Sequence, residues 1–205
     1  MKISRWLSLP NDQDIQRGVF RKFRGVARKG PEGYFHFPIG EDGLKALSYP
    51  ADVLSLIPDD VKQYFCGVGN PINDAGFSPG KRVLDVGCGA GVDAIIAATV
   101  AGPESEVTGV DMVQEMVDLA MKNAEKAGIK NVSFVKSSGD DLPFPDGHFD
   151  ILLSNGVFNL MMNKEKAISE WFRVLAGGGE AVIADMSLED GVTEREVTGK
   201  GAWSD

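Results

Sequence analysis

Arg82-Val-Leu-Asp-Val-Gly-Cys-Gly-Ala-Gly91 starts as a short apolar run and ends in glycines at alternating positions. Glycines placed directly after a strand and before a helix let the backbone come within contact distance of a ligand, because no Cβ intervenes. An Ala/Ile-rich segment near Asp93–Val100 supplies that helix, and Val107-Thr-Gly-Val110 reads as the next strand. A helix over Gln114–Ala127 follows, with Met116, Ala120, Ala124 and Ala127 on one face and Gly128 as its stop. Val132–Val135 and Phe149–Leu153 are further strands. Asn163 caps a helix whose Ile168, Trp171, Phe172 and Leu175 follow the i, i+3, i+4, i+7 rule. Gly177-Gly-Gly179 ends that helix, and Glu180–Ala184 is a fifth strand. Strands alternating with helices predict a parallel sheet with crossover helices, an α/β, Rossmann-like fold.

The chain has 205 residues, enough for one domain with a sizeable core and too few for two. No apolar run approaches the ~18 residues of a membrane helix, and the first ten residues do not make a signal peptide. Cys66 and Cys88 are too few for a disulfide framework, so the expectation is a reduced, cytoplasmic enzyme. His36 and His148 have no acidic or cysteine neighbour at ligand spacing, so no metal site is expected.

Charge is unevenly distributed. Residues 1–30 carry a balance of +6, whereas the rest of the chain carries −15, which argues against a nucleic-acid grip over the whole surface. The basic stretch Asp14–Lys29 places Ile15, Val19, Phe23 and Val26 near helical spacing. It reads either as an amphipathic helix on the acidic body or as an arm for an anionic surface or RNA. Residues 1–79 are broken by Tyr49-Pro50, Ile57-Pro58 and Asn70-Pro71 into short pieces. They read as a small helical N-terminal cap ahead of a domain over 80–205.

Asp111 closes the second strand 20 residues after Gly91. An acidic residue at about that distance is where a ribose diol is held by a carboxylate, although a charge stabilised at a helix N-terminus would also account for it. The glycines read Gly87-x-Gly89-x-Gly91, with Val92 where the dinucleotide fingerprint has its third glycine. Asp85 stands just ahead of the turn. A carboxylate there repels a pyrophosphate and suits a ligand with an ammonium and a sulfonium. The electrostatics favour S-adenosylmethionine over NAD.

As a set, Val83–Gly91, Gly109-Val-Asp111, Asp141-Leu-Pro-Phe-Pro-Asp146, Ser154-Asn155 and Arg173-Val-Leu-Ala-Gly-Gly178 resemble the successive motifs of class I S-adenosylmethionine-dependent methyltransferases. The resemblance covers about residues 66–186. It implies that Asp85, Gly87 and Gly89 line the methionine end, that Asp111 holds the ribose hydroxyls and that Met112 packs on adenine. Gly139 and Asp140 would approach the adenine amino group, and Asn155 would face the methyl group. Asp140 and Asp141 also read as a solvated loop pair.

Gly67-Val-Gly-Asn-Pro71 and Ser154-Asn-Gly-Val-Phe-Asn-Leu160 further resemble the arsenite methyltransferases. Trivalent arsenic prefers sulfur ligands, and this chain departs from the family at both stretches. Val68 and Gly156 stand where the family has cysteines. Cys66 is the remaining candidate for an acceptor-site thiol, with a buried structural role as the alternative reading. The expected activity is methyl transfer to a small acceptor, arsenite among the candidates. The alternatives are a non-catalytic S-adenosylmethionine binder and a small-molecule C- or O-methyltransferase.

Methyltransferases of this class carry two more strands after the fifth, and residues 189–205 are Gly-rich and polar. The expectation is a sheet lacking those strands, whose bare fifth-strand edge pairs with a second copy or is covered by the N-terminal segment. In the arsenite family a tryptophan near this point is followed three residues on by a cysteine. Here Trp203-Ser-Asp205 precedes that position, and the expectation is a product terminated at a UGA codon.

Overall fold

The computed structural model describes residues 12–187. The expectations for 188–205, including the missing strands and the codon after Asp205, lie outside the described residues.

Five strands lie parallel in the order β3-β2-β1-β4-β5: β1 Arg82–Val86, β2 Glu106–Asp111, β3 Val132–Lys136, β4 Phe149–Asn155 and β5 Leu175–Ala184. The order reverses beside β1, so the crevice at the carboxyl ends of β1, β2 and β4 is a topological switch point. β1 is buried along nearly its whole length, as a central parallel strand must be. Its side chains part by period 2: Val83 enters one core with Ile95, Ile151 and Leu153, and Leu84 and Val86 enter another with Leu152 and Trp171.

Helix α5 (Val92–Ala101) is apolar all round because it is enclosed all round, by the sheet on one side and the cap on the other. Helix α6 (Gln114–Ala127) is amphipathic and stops at Gly128, whose φ of 69° is left-handed. Helix α7 (Lys164–Val174) starts where expected, with Asn163 Oδ1 accepting from the Lys166 N–H at 2.9 Å.

Two expectations are corrected near the carboxyl end. The buried stripe of α7 is Ala167, Trp171 and Val174, leaving Phe172 82% exposed and Ile168 45% exposed. Of the predicted stripe Trp171 is buried, and the buried face is rotated about it, since helical spacing alone does not fix which face meets the sheet. The glycines at 177–179 do not separate α7 from a strand beginning at Glu180. They lie inside β5, in an irregularity where Phe149 pairs with Leu175 and Ile151 with Glu180. Gly178 has φ of 82°, which permits the bend.

The described part of the cap is helical: α1 (Asp12–Lys29), α2 (Gly40–Ala46), α3 (Ala51–Leu54) and α4 (Asp59–Lys62). It shares a core with the sheet, as Leu44, Tyr49, Ile57, Val61 and Phe65 pack in one cluster with Val83, Ile95 and Ile151. Helix α1 lies against α6 with Val26 fully buried. Glu115 of α6 accepts from Arg24 at 2.5 Å and Arg28 at 3.0 Å, so the basic stretch is held on the acidic body. Among the described residues no helix is long and apolar enough to cross a membrane.

Candidate active site

A cavity of about 170 Å³ opens at the switch point, under α1 and between the glycine turn, β2, β4 and the cap. The turn is tied to β2: Gly87 and Cys88 N–H groups donate to Val110 O at 2.8 and 2.9 Å. Gly89 N–H donates to Asp111 Oδ2 at 3.0 Å, and Val113 N–H donates to Asp111 Oδ1 at 2.8 Å. Asp111 is thereby fixed in the cavity wall while each oxygen keeps acceptor capacity. Gly87 has φ of 74°, and a Cβ there would strike Val157. Gly89 has φ of 51°, and a Cβ there would meet no protein atom within 4 Å.

Met112, Gly139 and Asp140 line the same cavity. Gly139 O accepts from Trp171 Nε1 at 2.8 Å, and a Cβ on Gly139 would run into Met161 and Val86. Asp140 is held by Lys166 of α7 at 3.5 Å.

Asp85 is not among the lining residues. It sits behind the turn, 2% exposed, accepting from the Ala94 N–H while its Oδ2 is buried without a partner. Asn155 does line the cavity, yet its amide serves as a brace. Its Oδ1 accepts from the Val68 and Gly69 N–H groups at 2.8 and 3.1 Å. Its Nδ2 donates to Gly69 O at 2.9 Å and Asp93 Oδ2 at 3.0 Å.

Asp93 was missed in the sequence, because an acidic residue in the first turn of a helix has a sufficient local explanation in the helix dipole. It lines the cavity at 8% exposure, and Tyr49 Oη donates to its Oδ1 at 2.5 Å. Tyr49 comes from the cap, 44 residues earlier, so no local pattern links the two.

Asp85, Asp93 and Asp111 therefore form a buried acidic group. Burial raises Asp85 well above the usual carboxylate range, with the Asp93 and Asp111 charges adding to it. Burial likewise pushes Asp93 up to about 6, against hydrogen bonds from Tyr49 and Asn155 that lower it. Asp111 also rises to about 6 through burial, opposed by the Val113 and Gly89 N–H groups. Among the described residues, none lining the cavity is a lysine, arginine or histidine. Two buried carboxylates in the wall, Asp93 and Asp111, without a countercharge among the described lining residues, fit a cationic ligand. The space above Gly89 and the fixed Asp111 fit a ribose. An ammonium, a sulfonium and a ribose diol occur together in S-adenosylmethionine, so the residues present fit that group.

Cys66 lines the cavity, and burial together with Asp93 and Asp111 pushes its thiol up to about 12. It is a neutral thiol here. A Cβ on Gly156 would lie 3.5 Å from both Val68 methyl groups, so the two positions that diverge from the arsenite family face each other. Among the described residues no cluster of His, Cys, Asp and Glu has the arrangement of a metal site.

A parallel sheet of this order, with a cavity at the switch point, defines a Rossmann-like class I methyltransferase fold. The model of the methyltransferase domain family matches residues 77–203, and the chain belongs to that family. It is 38% identical over 144 residues to an arsenite methyltransferase of Halobacterium salinarum, an alignment covering 70% of this chain and 37% of that protein. It is 32% identical to a ubiquinone/menaquinone biosynthesis C-methyltransferase of Vibrio vulnificus over 57% of this chain and 45% of that one. The crystal structure of an arsenic (III) S-adenosylmethionine methyltransferase from Chlamydomonas reinhardtii superposes with a TM-score of 0.60 and 36% identity, covering 73% of this chain and 50% of that one. The chain thus spans less than half the length of these two sequence relatives.

Proposed function

We propose that the chain binds S-adenosylmethionine in the cavity at the switch point and transfers its methyl group to a small acceptor. The observation that carries this reading is the buried acidic group, with Asp93 and Asp111 in the cavity wall and Asp85 behind it, where no cationic side chain lines the cavity among the described residues. When bound, the cofactor supplies an electrophilic methyl on a sulfonium.

The chain's own part is to bind, orient and exclude water. Asp111 accepts from the ribose hydroxyls, Met112 packs on the adenine, and Gly139 and Asp140 approach its amino group. Gly87 and Gly89 let the backbone close on the methionine moiety, while Asp93 in the cavity wall faces its positive charge. Asn155 positions Asp93 and the Val68–Gly69 backbone. Helix α1 covers the cavity with Val19 and Phe23. In such a site, orientation and dehydration lower the barrier without a proton-transferring group.

Arsenite is a poor match to the acceptor end. Trivalent arsenic needs several thiolates, and the two cysteines that line the cavity, Cys66 and Cys88, are both held as neutral thiols by burial, while Val68 and Gly156 supply none.

Calorimetry with S-adenosylmethionine, sinefungin and NAD tests the cofactor assignment. The first two are expected to bind and NAD to fail. S-adenosylhomocysteine formation over a panel of acceptors tests transfer. Binding of NAD in preference would overturn the reading, and cofactor binding with no product from any acceptor would favour a binding role.

A further inference from the structure

A second cavity, of about 200 Å³, adjoins the first at Gly67. Gly67 is the residue common to both linings. A Cβ there would strike the Asn155 amide, so this thin part of the wall cannot carry a side chain. The second cavity is lined by Phe37, Pro38, Ala46, Leu47, Val68 and Met186, with backbone at Gly43. None of these titrates or carries a hydroxyl, amide or charge.

We propose that this apolar cavity is the acceptor site, and that it takes a small, neutral, largely hydrocarbon molecule whose reactive end reaches past Gly67 and Val68. The inference rests on the cofactor reading of the first cavity. Three observations support it. First, the cavity adjoins the brace formed by Asn155 with the Val68 and Gly69 N–H groups, which also meets Asp93, so an occupant lies against the wall of the acidic site.

Second, charge excludes the other ligand classes. Among the described residues an anion or oxyanion would find no cation in either lining and would face the carboxylates of the neighbouring cavity. A strongly hydrogen-bonding ligand would lose its water partners against methyl and ring carbons without replacement.

Third, the apolar lining is joined to the cover of the cofactor cavity by a chain of rings. Phe23, which lines the first cavity, lies 6.3 Å from Phe35, and Phe35 lies 5.3 Å from Phe37 in the second. Lys22 sits 4.3 Å over the Phe35 ring and fixes that link to α1. The element that covers the cofactor therefore also sets one wall of the acceptor site.

The test is direct binding to the full chain, measured by calorimetry with and without S-adenosylmethionine. The probes are 2-naphthol (neutral and apolar), 2-naphthoate (the same rings with a negative charge) and arsenite. The expected result is 2-naphthol binding at least tenfold tighter than either alternative. Two variants narrow the cavity from different sides, each from an exposed position: Met186→Trp and Ala46→Trp. Each is expected to weaken 2-naphthol binding at least tenfold while cofactor affinity stays within twofold; circular dichroism checks that both fold. If the cofactor binds but 2-naphthoate or arsenite is preferred, or if neither folded variant changes 2-naphthol binding, the acceptor inference is wrong and the cofactor reading survives. If S-adenosylmethionine does not bind the unaltered chain, both fall together.

Discussion

Tyr49 Oη donates a 2.5 Å hydrogen bond to Asp93 Oδ1, linking the cap to the first turn of α5. The same hydroxyl also lies 3.1 Å from Gly69 O, and Asn155 Nδ2 lies 3.2 Å from it. A charge-assisted bond buried between two segments contributes more than a surface pair, because breaking it strands a desolvated carboxylate. Tyr49→Phe is expected to lower stability by about 1–3 kcal/mol. By removing the strongest bond to Asp93 it should also raise that carboxyl further. Thermal unfolding and the pH dependence of cofactor binding check the two effects. An unchanged melting temperature would contradict the assigned bond.

The acidic group sets a pH dependence. Asp93 and Asp111 have folded values of about 6, above the ordinary carboxylate value near ~3.9. Their contribution to stability is fully present below about pH 4 and is lost as pH rises through about 6, because burial favours the neutral form. Glu170 works the other way. Held at about 2 by Arg173, it stabilises above about pH 4.5 and loses that contribution as pH falls toward 2. A cationic ligand needs the carboxylates ionised, so affinity for S-adenosylmethionine should rise between about pH 5 and pH 7.5 and then level. Calorimetry across that range should show proton release on binding near pH 6; affinity that falls over this interval would be incompatible with the acidic group as the cation site.

Gly87 and Gly89 have related backbones but different surroundings. Alanine at either must take a left-handed conformation that costs roughly 1–2 kcal/mol. At Gly87 the new methyl also strikes Val157, whereas at Gly89 it enters open space in the cavity. Gly87→Ala should therefore destabilise the fold more than Gly89→Ala. Gly89→Ala should instead weaken cofactor binding at least tenfold with a smaller loss of stability. Paired melting curves and titrations separate the two outcomes.

Asp111→Asn keeps the size and one acceptor but loses the charge. It also leaves either Gly89 N–H or Val113 N–H facing an amide group that cannot accept. Affinity for S-adenosylmethionine is expected to drop by roughly 10- to 100-fold, corresponding to about 1–3 kcal/mol. 2′-Deoxyadenosine derivatives should lose less than the ribose parent in this variant. Equal losses for both would count against a ribose contact.

Arg24 and Arg28 share Glu115, and all three side chains are partly exposed. Such pairs contribute within about 1 kcal/mol, so Glu115→Ala should leave the melting temperature close to that of the unaltered chain. The pairs nevertheless hold α1 over the cavity. Faster proteolysis within α1 and faster cofactor dissociation at low salt are the expected signatures, with the difference shrinking as salt screens the pairs in the unaltered chain. Unchanged dissociation would separate α1 from any covering role.

Much of the sheet was legible because its signals are local. The run Arg82–Val86 is apolar because both faces of a central parallel strand are buried, and the glycines after it follow from the close approach of backbone at the turn. Gly128 stops α6 and Asn163 caps α7 through contacts within a few residues, so both boundaries can be read directly. The Gly177–Gly179 stretch misled for the same reason. Glycines read locally as a break, whereas pairing with β4 holds them inside a strand.

The sequence by itself determined the parallel alternation, the glycine turn and the placing of Asp111 at the end of β2, since each is written within one element or its flank. Only the tertiary structure decided that Asp93 belongs to the cavity wall, that Asp85 stands behind it, and that Asn155 braces the cap. It alone placed Val68 against Gly156. Those relationships join segments between 44 and 106 residues apart through burial and hydrogen bonds. No periodicity encodes them, because a carboxylate acquires its protonation state and its partners only when the chain closes around it.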